Sequence, residues 1–416
     1  MVENFYLGFD FGTSGVRAIA LDQNYQCSDI IKVPCQNYDH FSQWQEIFEE
    51  VFSQLPLNIK QNLRAIAVSG TSSTVLLCDE KGKPLTNPLW YKDSRGKSIL
   101  PQLQEFVPEN HLTLSATSSL AKLYWCYQQP IFSQAHYFLH QADYLGFLLH
   151  GKLGISDYHN ALKLGYDVEK LTYPSWLKNK PFSHLLPTVK APGEIVVPIM
   201  ENLSKKFNIN PQCVIKTGTT DSIAAFLASG VKTTGQGVTS LGSTLVLKLL
   251  SDTKIDDNRY GIYSHRLGNL WLTGGASNTG GAVLKHFFSS DDLIQLSQKI
   301  DPNTLLNYQY YPLINKGDRF PINNPELSPK LEPKPDNPLL FLQGILEGIA
   351  DIEQQGYQLL QQLGANPLTK VYTAGGGAIN EPWRQIRELK LNVPVAKSPH
   401  TEACYGVALL AKGNDE

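Results

Sequence analysis

The sequence has almost no net charge. Its 416 residues include 36 Lys and Arg against 38 Asp and Glu, which gives a formal net charge of −2. Such a balance provides no basic field that would attract nucleic acid or an anionic membrane surface. We therefore expect small-molecule partners, with no nucleic acid and no membrane. The length is sufficient for two domains, each with its own core.

Long apolar runs and paired cysteines are also missing. No stretch approaches 18 uninterrupted apolar residues, and the N-terminus leads directly into a strand without the basic region and apolar core of a signal peptide. The six cysteines are scattered, without Cys-x-x-Cys or zinc-site spacing, which is typical of reduced thiols. These absences predict a cytoplasmic protein of enzyme size, and they leave its oligomeric state open.

Strands and helices are predicted to alternate along the chain, which indicates an α/β architecture. A glycine-rich loop is expected at 274–281 after a strand at 270–273, and a surface loop at 302–338, rich in proline and asparagine. A long helix then ends at Gly364, in the manner of a glycine C-cap. The other predicted elements are strands at 63–69 and 214–217 and helices at 43–54, 119–128, 142–150 and 223–228.

The segment Gly8–Arg17 is the most informative stretch. Apolar residues on both sides of a small-residue turn predict a strand, a turn and a second strand. Gly12 lets the backbone approach a ligand closely, and Thr13 and Ser14 offer hydroxyl and N–H groups to anionic oxygens. Asp10 places a carboxylate beside this anion site, which requires a bridging cation such as Mg²⁺. An ordinary turn is the alternative interpretation.

The segment Val238–Leu249 repeats this pattern of strand, small-residue turn and strand. Its turn contains Gly242, Ser243 and Thr244. Two similar hairpins indicate two related domains, which could grip a polyphosphate from both sides. An ordinary hairpin bend is again the alternative.

A third glycine-rich segment follows a predicted strand at 370–374. Gly376 and Gly377 remove side chains from a wall against which a flat ring could lie. Asn380 could then hydrogen-bond an adenine edge, and Trp383 could form an aromatic side of the pocket. The alternative is that the glycines only permit close strand–helix packing. The dinucleotide pattern Gly-x-Gly-x-x-Gly is absent there.

Asp221 is the candidate for the chemistry. It follows a strand and the small residues at 218–220, and it opens a predicted helix. A carboxylate there can take the proton of an attacking hydroxyl, and a positioned general base contributes roughly 10²–10⁴-fold. The helix N-terminus also stabilises the anion. Capping of the free N–H groups is the structural alternative.

The chain resembles the FGGY carbohydrate kinases, within the actin, Hsp70 and sugar-kinase superfamily. The resemblance runs in order through the whole chain and rests on the segments Gly8–Arg17, Ser156–Ala161, Gly218–Asp221, Ser240–Leu245, Thr373–Trp383 and Glu402–Ala408. It implies two ribonuclease-H-like domains of the actin-like ATPase type, with ATP and sugar in a central interdomain cleft. The implied domains are a sugar-binding N-terminal domain, 1–228 plus 401–416, which carries the first phosphate hairpin, and a nucleotide-binding domain, 229–400.

The resemblance also implies roles for individual residues. Asp221, Asp10 and Thr13 are expected to be catalytic, and Asp10, Ser72 and Asp221 to bind the sugar. Asp10 is expected to hold Mg²⁺ as well. The expected ATP-binding residues are Gly12, Thr13, Ser14, Gly242, Ser243, Thr244, Gly376, Gly377, Asn380 and Trp383.

The substrate prediction rests on the segment Gly70–Thr74. It lacks the histidine of the Met-His-Gly segment in xylulose kinases, and the Arg-Glu pair of glycerol kinases is missing from this region. The hydroxyl-rich sequence Thr71-Ser72-Ser73 suits a polyol chain. The chain most resembles the short ribulose-kinase-like branch, which implies ATP-dependent phosphorylation of the terminal hydroxyl of D-ribulose. Alternatives are a kinase of D-xylulose or another small ketose or polyol, a non-catalytic sugar or nucleotide sensor, and an ATPase acting on protein partners.

Overall fold

A computed structural model describes residues 3–13, 15–35 and 41–413 of the chain. These residues form two compact units. Unit 1 contains the chain up to Ala228 together with the residues from Glu402 onward, and unit 2 is Ser229–Thr401. Both units are α/β, which confirms the predicted fold class. The interdomain cleft stays a prediction.

Unit 1 contains eleven of the described strands and ten of the described α-helices. The strands are β1 Phe5–Gly12, β2 Gly15–Asp22, β3 Ile31–Val33, β4 Leu63–Gly70, β5 Val75–Cys78, β6 Tyr137–His140, β7 Ile155–Asp157, β8 Thr188–Lys190, β9 Ile195–Pro198, β10 Val214–Lys216 and β11 Thr219–Thr220. The α-helices are α1 Ser42–Gln54, α2 Leu57–Gln61, α3 Leu100–Gln104, α4 Ser119–Tyr127, α5 Gln141–His150, α6 Tyr158–Ala161, α7 Ser175–Lys178, α8 Glu201–Phe207, α9 Asp221–Ala228 and α14 Ala403–Lys412.

Unit 2 contains the remaining described strands and helices. Its strands are β12 Gln236–Leu241, β13 Leu245–Ser251, β14 His265–Leu267, β15 Leu270–Ser277, β16 Lys370–Ala374 and β17 Val395–Lys397. Its α-helices are α10 Gly281–Phe287, α11 Ser290–Ser297, α12 Pro338–Gln362 and α13 Glu381–Leu391. The long helix α12 ends as predicted, because Leu363 is its C-cap residue and Gly364 follows with a φ of 108°.

The central sheets of the two units share one plan. In unit 1 the order is β3-β2-β1-β4-β10-β9, where β1, β2 and β3 are antiparallel and β4 and β10 run parallel to β1. In unit 2 the order is β14-β15-β13-β12-β16-β17, where β12, β13 and β15 are antiparallel and β16 and β17 run parallel to β12. Each predicted hairpin is therefore the first strand pair of its sheet, which confirms the internal repeat.

One face of β1 is apolar and fully covered. Leu7, Phe9 and Phe11 alternate along the strand, so they share that face, and none of them has exposed surface. Helix α1 covers one face with side chains at helical spacing. The ring of Phe9 meets that of Phe48 edge to face, with centroids 4.9 Å apart. This packing holds the first hairpin on a rigid base.

Helix α14 lies in backbone contact with β1 and α9. A Cβ atom on Gly8 would stand 2.2 Å from the amide nitrogen of Ala408, and one on Gly406 would stand 1.9 Å from the carbonyl oxygen of Ala224. Real Cβ atoms do not approach backbone so closely, so only glycine fits at either position. The last described helix thereby supports the two elements that carry Asp10 and Asp221.

A buried ion pair braces unit 2. Arg387 of α13 donates from Nε and Nη2 to the Glu353 carboxylate of α12, at 2.6 and 2.8 Å, and from Nη1 to Thr373 Oγ1 of β16, at 2.7 Å. Thr239 of β12 also donates to Glu353. Arg387 and Glu353 are both buried. Two helices and two neighbouring strands are thus joined by one polar network.

Two loop predictions need correction. The strand β15 continues to Ser277 because it pairs with β13 as far as Leu245, so the loop expected from residue 274 begins after Ser277. The segment 302–337 has no helix or strand, as predicted, but it is more than surface. Its Phe320 has no exposed surface, and its buried Asp318 accepts hydrogen bonds from Ser277 Oγ (2.6 Å) and Asn278 N (2.8 Å).

Within the described ranges, no helix combines the length and the apolar character that crossing a membrane requires.

Candidate active site

Asp10 lies near the carboxyl end of β1, beside the end of β4. Parallel pairing places Asp10 opposite Ser69, and Ser69 in turn lies opposite Thr219 of β11. Ser69 Oγ donates to Asp10 Oδ1 at 2.8 Å. The Asp10 residue is 5 % exposed. Ligand sites of open α/β sheets are found at the carboxyl ends of parallel strands, which is where these side chains meet.

The surroundings of Asp10 raise its pKa to about 6. Burial is the largest cause, because removal from water disfavours the charged carboxylate. The hydrogen bond from Ser69 opposes this effect, and the negative charge of Asp221 adds to it. A buried carboxyl group beside a second carboxylate favours binding of a cation, which would replace the lost solvation.

This electrostatic balance predicts the titration of Asp10 in the protein without metal or nucleotide. A ¹³C NMR titration of the Asp10 carboxyl group should give a midpoint of about 6. Ser69→Ala should raise the midpoint further, because it removes a hydrogen bond that favours the ionised form. A wild-type midpoint near 4, or a midpoint unchanged by Ser69→Ala, would contradict this account of the site.

Asp221 is the first residue of α9 and directly follows β11. Its side chain is partly exposed, and its Oδ1 accepts a hydrogen bond from the backbone N–H of Ser222 at 2.7 Å. This bond occupies one free N–H group at the start of the helix, whereas an N-cap bond to the second or third helical N–H stays an alternative. The Asp221 carboxylate lies in the field of the helix N-terminus, and its charge interacts with that of Asp10. A contact with the helix N-terminus and a role as a base are therefore compatible.

The first phosphate hairpin has the predicted geometry. Gly12 pairs with Gly15 at the end of the ladder between β1 and β2. Thr13 is exposed and Gly12 is partly exposed. Ser14 lies outside the described residues. Binding of phosphate by this turn stays a prediction.

The residues present suit Mg²⁺ held jointly with a substrate. Among the described residues, no group of three or more His, Cys, Asp or Glu side chains is placed to hold a metal ion. Mg²⁺ usually binds to one or two carboxylates together with substrate phosphates and water. Asp10 matches that requirement, together with Asp221, whose negative charge interacts with it.

The predicted sugar-binding segment is a turn between β4 and β5, and most of its side chains point inward. Thr71 Oγ1 contacts Thr74 Oγ1 (2.5 Å) and donates to Gln141 Oε1 (2.9 Å). Ser73 is 2 % exposed. Ser72 alone among residues 71–74 is partly exposed. The expectation that three hydroxyls of this turn reach a polyol is therefore wrong for Thr71 and Ser73, and Ser72 stays a candidate.

The turn of the second hairpin is fixed by the first residues of α10. The N–H groups of Gly281 and Ala282 donate to the carbonyl oxygens of Gly242 and Ser243, at 2.8 and 3.1 Å. Ser243 is exposed, and Gly242 and Thr244 are partly exposed. The turn is thus rigid and accessible, as a phosphate-binding turn would have to be.

The three glycines after β16 have different roles. A Cβ on Gly375 would stand 2.7 Å from the carbonyl oxygen of Leu241, and one on Gly377 would stand 2.7 Å from the Trp383 ring. A Cβ on Gly376 would have no atom within 4 Å. Close packing therefore explains Gly375 and Gly377, and Gly376 is the open position where a ligand can approach the backbone. The segment Gly376–Ile379 forms a 3₁₀-helix instead of the expected loop.

Asn380 and Trp383 are engaged within unit 2. Asn380 Oδ1 accepts from the N–H of Trp383 (3.0 Å) as the N-cap of α13, and its Nδ2 donates to Ser297 Oγ (2.9 Å). Trp383 is 2 % exposed and donates from Nε1 to the Leu346 carbonyl. Trp383 therefore supports the glycine segment from the core side, and the expected exposed aromatic wall is absent. Ile379, 78 % exposed, is the apolar side chain at that surface, and the sequence reasoning missed it.

Family models match nearly the whole chain. The N-terminal domain of the FGGY family of carbohydrate kinases matches residues 5–228, and the C-terminal domain matches residues 237–412.

Individual relatives are distant but similar over most of their length. A gluconokinase from Bacillus subtilis is 22% identical, over 98% of this chain and 87% of that protein. A xylulose kinase from Staphylococcus epidermidis is 20% identical, over 99% of this chain and 88% of that protein. The crystal structure of a xyloylose kinase from Brucella ovis superposes with a TM-score of 0.85 at 21% identity, covering 99% of this chain and 91% of the other.

Proposed function

The chain belongs to the FGGY family of carbohydrate kinases, and we propose that it phosphorylates the terminal hydroxyl of D-ribulose to give D-ribulose 5-phosphate. Its general activity is that of an ATP-dependent sugar kinase. The observation that carries the residue assignment is the meeting of Asp10, Ser69 and the start of α9 at the carboxyl ends of three neighbouring parallel strands.

In the proposed reaction the terminal hydroxyl oxygen of the sugar attacks the γ-phosphorus of ATP. A new oxygen–phosphorus bond forms, the bond to the β-phosphate oxygen breaks, and ADP leaves. Asp221 accepts the proton of the attacking hydroxyl. Its partly exposed position supports this role, because a base must reach its substrate within hydrogen-bond distance. Asp10 is proposed to bind and orient a sugar hydroxyl.

Mg²⁺, held by Asp10 directly or through water, would neutralise the charge of the phosphates when ATP is bound. The nucleotide is proposed to use the turns at 12–14 and 242–244. Gly376 would supply open backbone for the adenosine, with Ile379 as its apolar neighbour. The amide nitrogen of Asn380 donates to Ser297, so it could bind the adenine only after that hydrogen bond breaks.

D-Ribulose is favoured by the turn at 71–74. That turn presents Ser72, a small hydroxyl side chain, in a segment without the histidine that the family resemblance implies for xylulose kinases. A small neutral side chain leaves room for a sugar with a different hydroxyl configuration. D-Xylulose and gluconate are second candidates, since the relatives named above are xylulose kinases and gluconokinases.

A substrate panel tests the proposal. We expect purified protein with ATP and Mg²⁺ to release ADP with D-ribulose at a kcat/KM at least tenfold above that with D-xylulose, gluconate or glycerol. Phosphate should appear on the terminal hydroxyl, as read by ³¹P–¹H NMR of the product. Turnover of D-xylulose or gluconate well above D-ribulose would refute the substrate assignment. Sugar binding without any phosphorylation would instead favour a sensor.

A further inference from the structure

Lys122 of α4 is a fully buried lysine. It has no exposed surface, and its Nζ donates to the carbonyl oxygens of Ser73 (2.7 Å) and Trp90 (2.6 Å). Buried lysines are rare and are usually paired with a carboxylate. Here both acceptors are neutral backbone carbonyls. Burial lowers the pKa of Lys122 to about 7. A neutral amine keeps two N–H groups, so both bonds persist in either protonation state.

Ser73, one of the two residues that Lys122 holds, has an unusual backbone conformation. Its φ is +62°, in the left-handed region that non-glycine residues rarely adopt. Such conformations persist where the surrounding structure enforces them, and they are common at ligand-binding sites. The hydrogen bond from Lys122 to the Ser73 carbonyl is one such constraint.

The rest of the turn is fixed by hydrogen bonds with residues outside it. The N–H of Thr71 donates to Gln141 Oε1 at 2.9 Å, and Thr74 Oγ1 accepts from the N–H of Tyr91 at 3.0 Å. Ser72 stands between these anchored residues and alone is partly exposed. The turn also begins two residues after Ser69, the hydrogen-bond partner of Asp10. The turn therefore holds one partly exposed hydroxyl in the segment that follows Ser69, the partner of the carboxylate proposed to bind the sugar.

From these contacts we infer that Lys122 is a positioning residue for sugar recognition. Its buried amine holds the strained turn at 71–74, so that Ser72 meets the sugar in a fixed orientation. The inference rests on the proposed function, because it concerns the same sugar site. Without the amine, two buried carbonyls lose their donor and Ser73 can relax to negative φ, which would move Ser72. Recognition of the sugar should suffer, and binding of ATP should not.

The test is Lys122→Met, which preserves side-chain length and removes the donor. At a temperature where the variant is folded by circular dichroism, we expect the KM for the sugar to rise at least tenfold. The KM for ATP should stay within twofold of wild type. The matched control is Leu103→Ala, because Leu103 has no exposed surface and belongs to the apolar cluster that α4 packs into. This control should be destabilised with an unchanged KM for the sugar.

The outcomes separate the alternatives. An unchanged sugar KM in folded Lys122→Met overturns the inference, and so does an equal rise in Leu103→Ala, which would reflect lost stability alone. Should Lys122→Met not fold, Lys122→Gln keeps a donor on a shorter side chain. It should then show a sugar-specific rise of at least threefold, and no rise overturns the inference. A wild-type protein that phosphorylates no sugar overturns the proposed function and this inference together.

Discussion

Asp221→Ala should lower kcat for sugar phosphorylation by roughly 10²–10⁴-fold, the usual contribution of a positioned general base. The variant should fold, because Asp221 is partly exposed at the first residue of α9, where its side chain accepts a hydrogen bond from the adjacent Ser222. Binding of ATP, measured by calorimetry, should change by less than about twofold, since the base acts on the sugar hydroxyl.

Asp221→Asn is the matched control for this experiment. Its side-chain oxygen can still accept the hydrogen bond from Ser222, but an amide cannot take a proton. We expect the Asn variant to equal wild type in thermal stability and to be as slow as the Ala variant. Wild-type turnover in either variant would remove Asp221 from the mechanism, and a slow Ala variant beside an active Asn variant would indicate a capping role only.

Arg387→Met should destabilise unit 2 by about 3–5 kcal/mol, the usual result of removing one partner from a buried ion pair. Glu353 would remain buried with an unpaired charge, and Thr373 would lose its partner. The effect should appear as faster amide hydrogen exchange in β12 and β16, measured by mass spectrometry. Peptides from β1 and β4, in the other unit, serve as the internal reference.

The double variant Glu353→Met/Arg387→Met separates the unpaired charge from lost packing. Replacing a buried ion pair by apolar side chains of similar size is often neutral or stabilising. We therefore expect the double variant to recover at least half of the lost stability. A single variant within 1 kcal/mol of wild type would show that the pair contributes little, and a double variant as unstable as the single would assign the loss to packing around α13.

Both hairpins and the position of Asp221 could be predicted because their signals are local. A turn such as 12–15 shows in the sequence as small residues between apolar runs, and the repeat at 242–244 uses the same signal. The family resemblance added the roles of these segments. The pairing of Asp10 with Ser69 could not be read in this way, because the two residues meet only when β1 and β4 pair in parallel.

Orientation of side chains was the main source of error. Thr71, Ser73 and Trp383 stand in segments that the sequence marks as functional, and each is buried in the structure. A sequence pattern shows where a residue lies along the chain, but it does not show where its side chain points. In the turn at 71–74 the side-chain directions depend on contacts with Lys122 and Gln141, which are distant in sequence. Lys122 gave no signal, since a lysine in a helix is usually exposed.

The position of α14 has a consequence for biosynthesis. The ribosome completes β1, β4 and α9 long before it makes residues 402–412, and all of unit 2 is synthesised in between. Until α14 emerges, the face of β1 at Gly8 and the backbone of α9 at Ala224 lack their covering helix. Until then, nascent unit 1 exposes apolar surface, and such incompletely folded chains are prone to aggregation and to binding by chaperones. The backbone support of the strand with Asp10 and the helix with Asp221 is assembled only when α14 has been made.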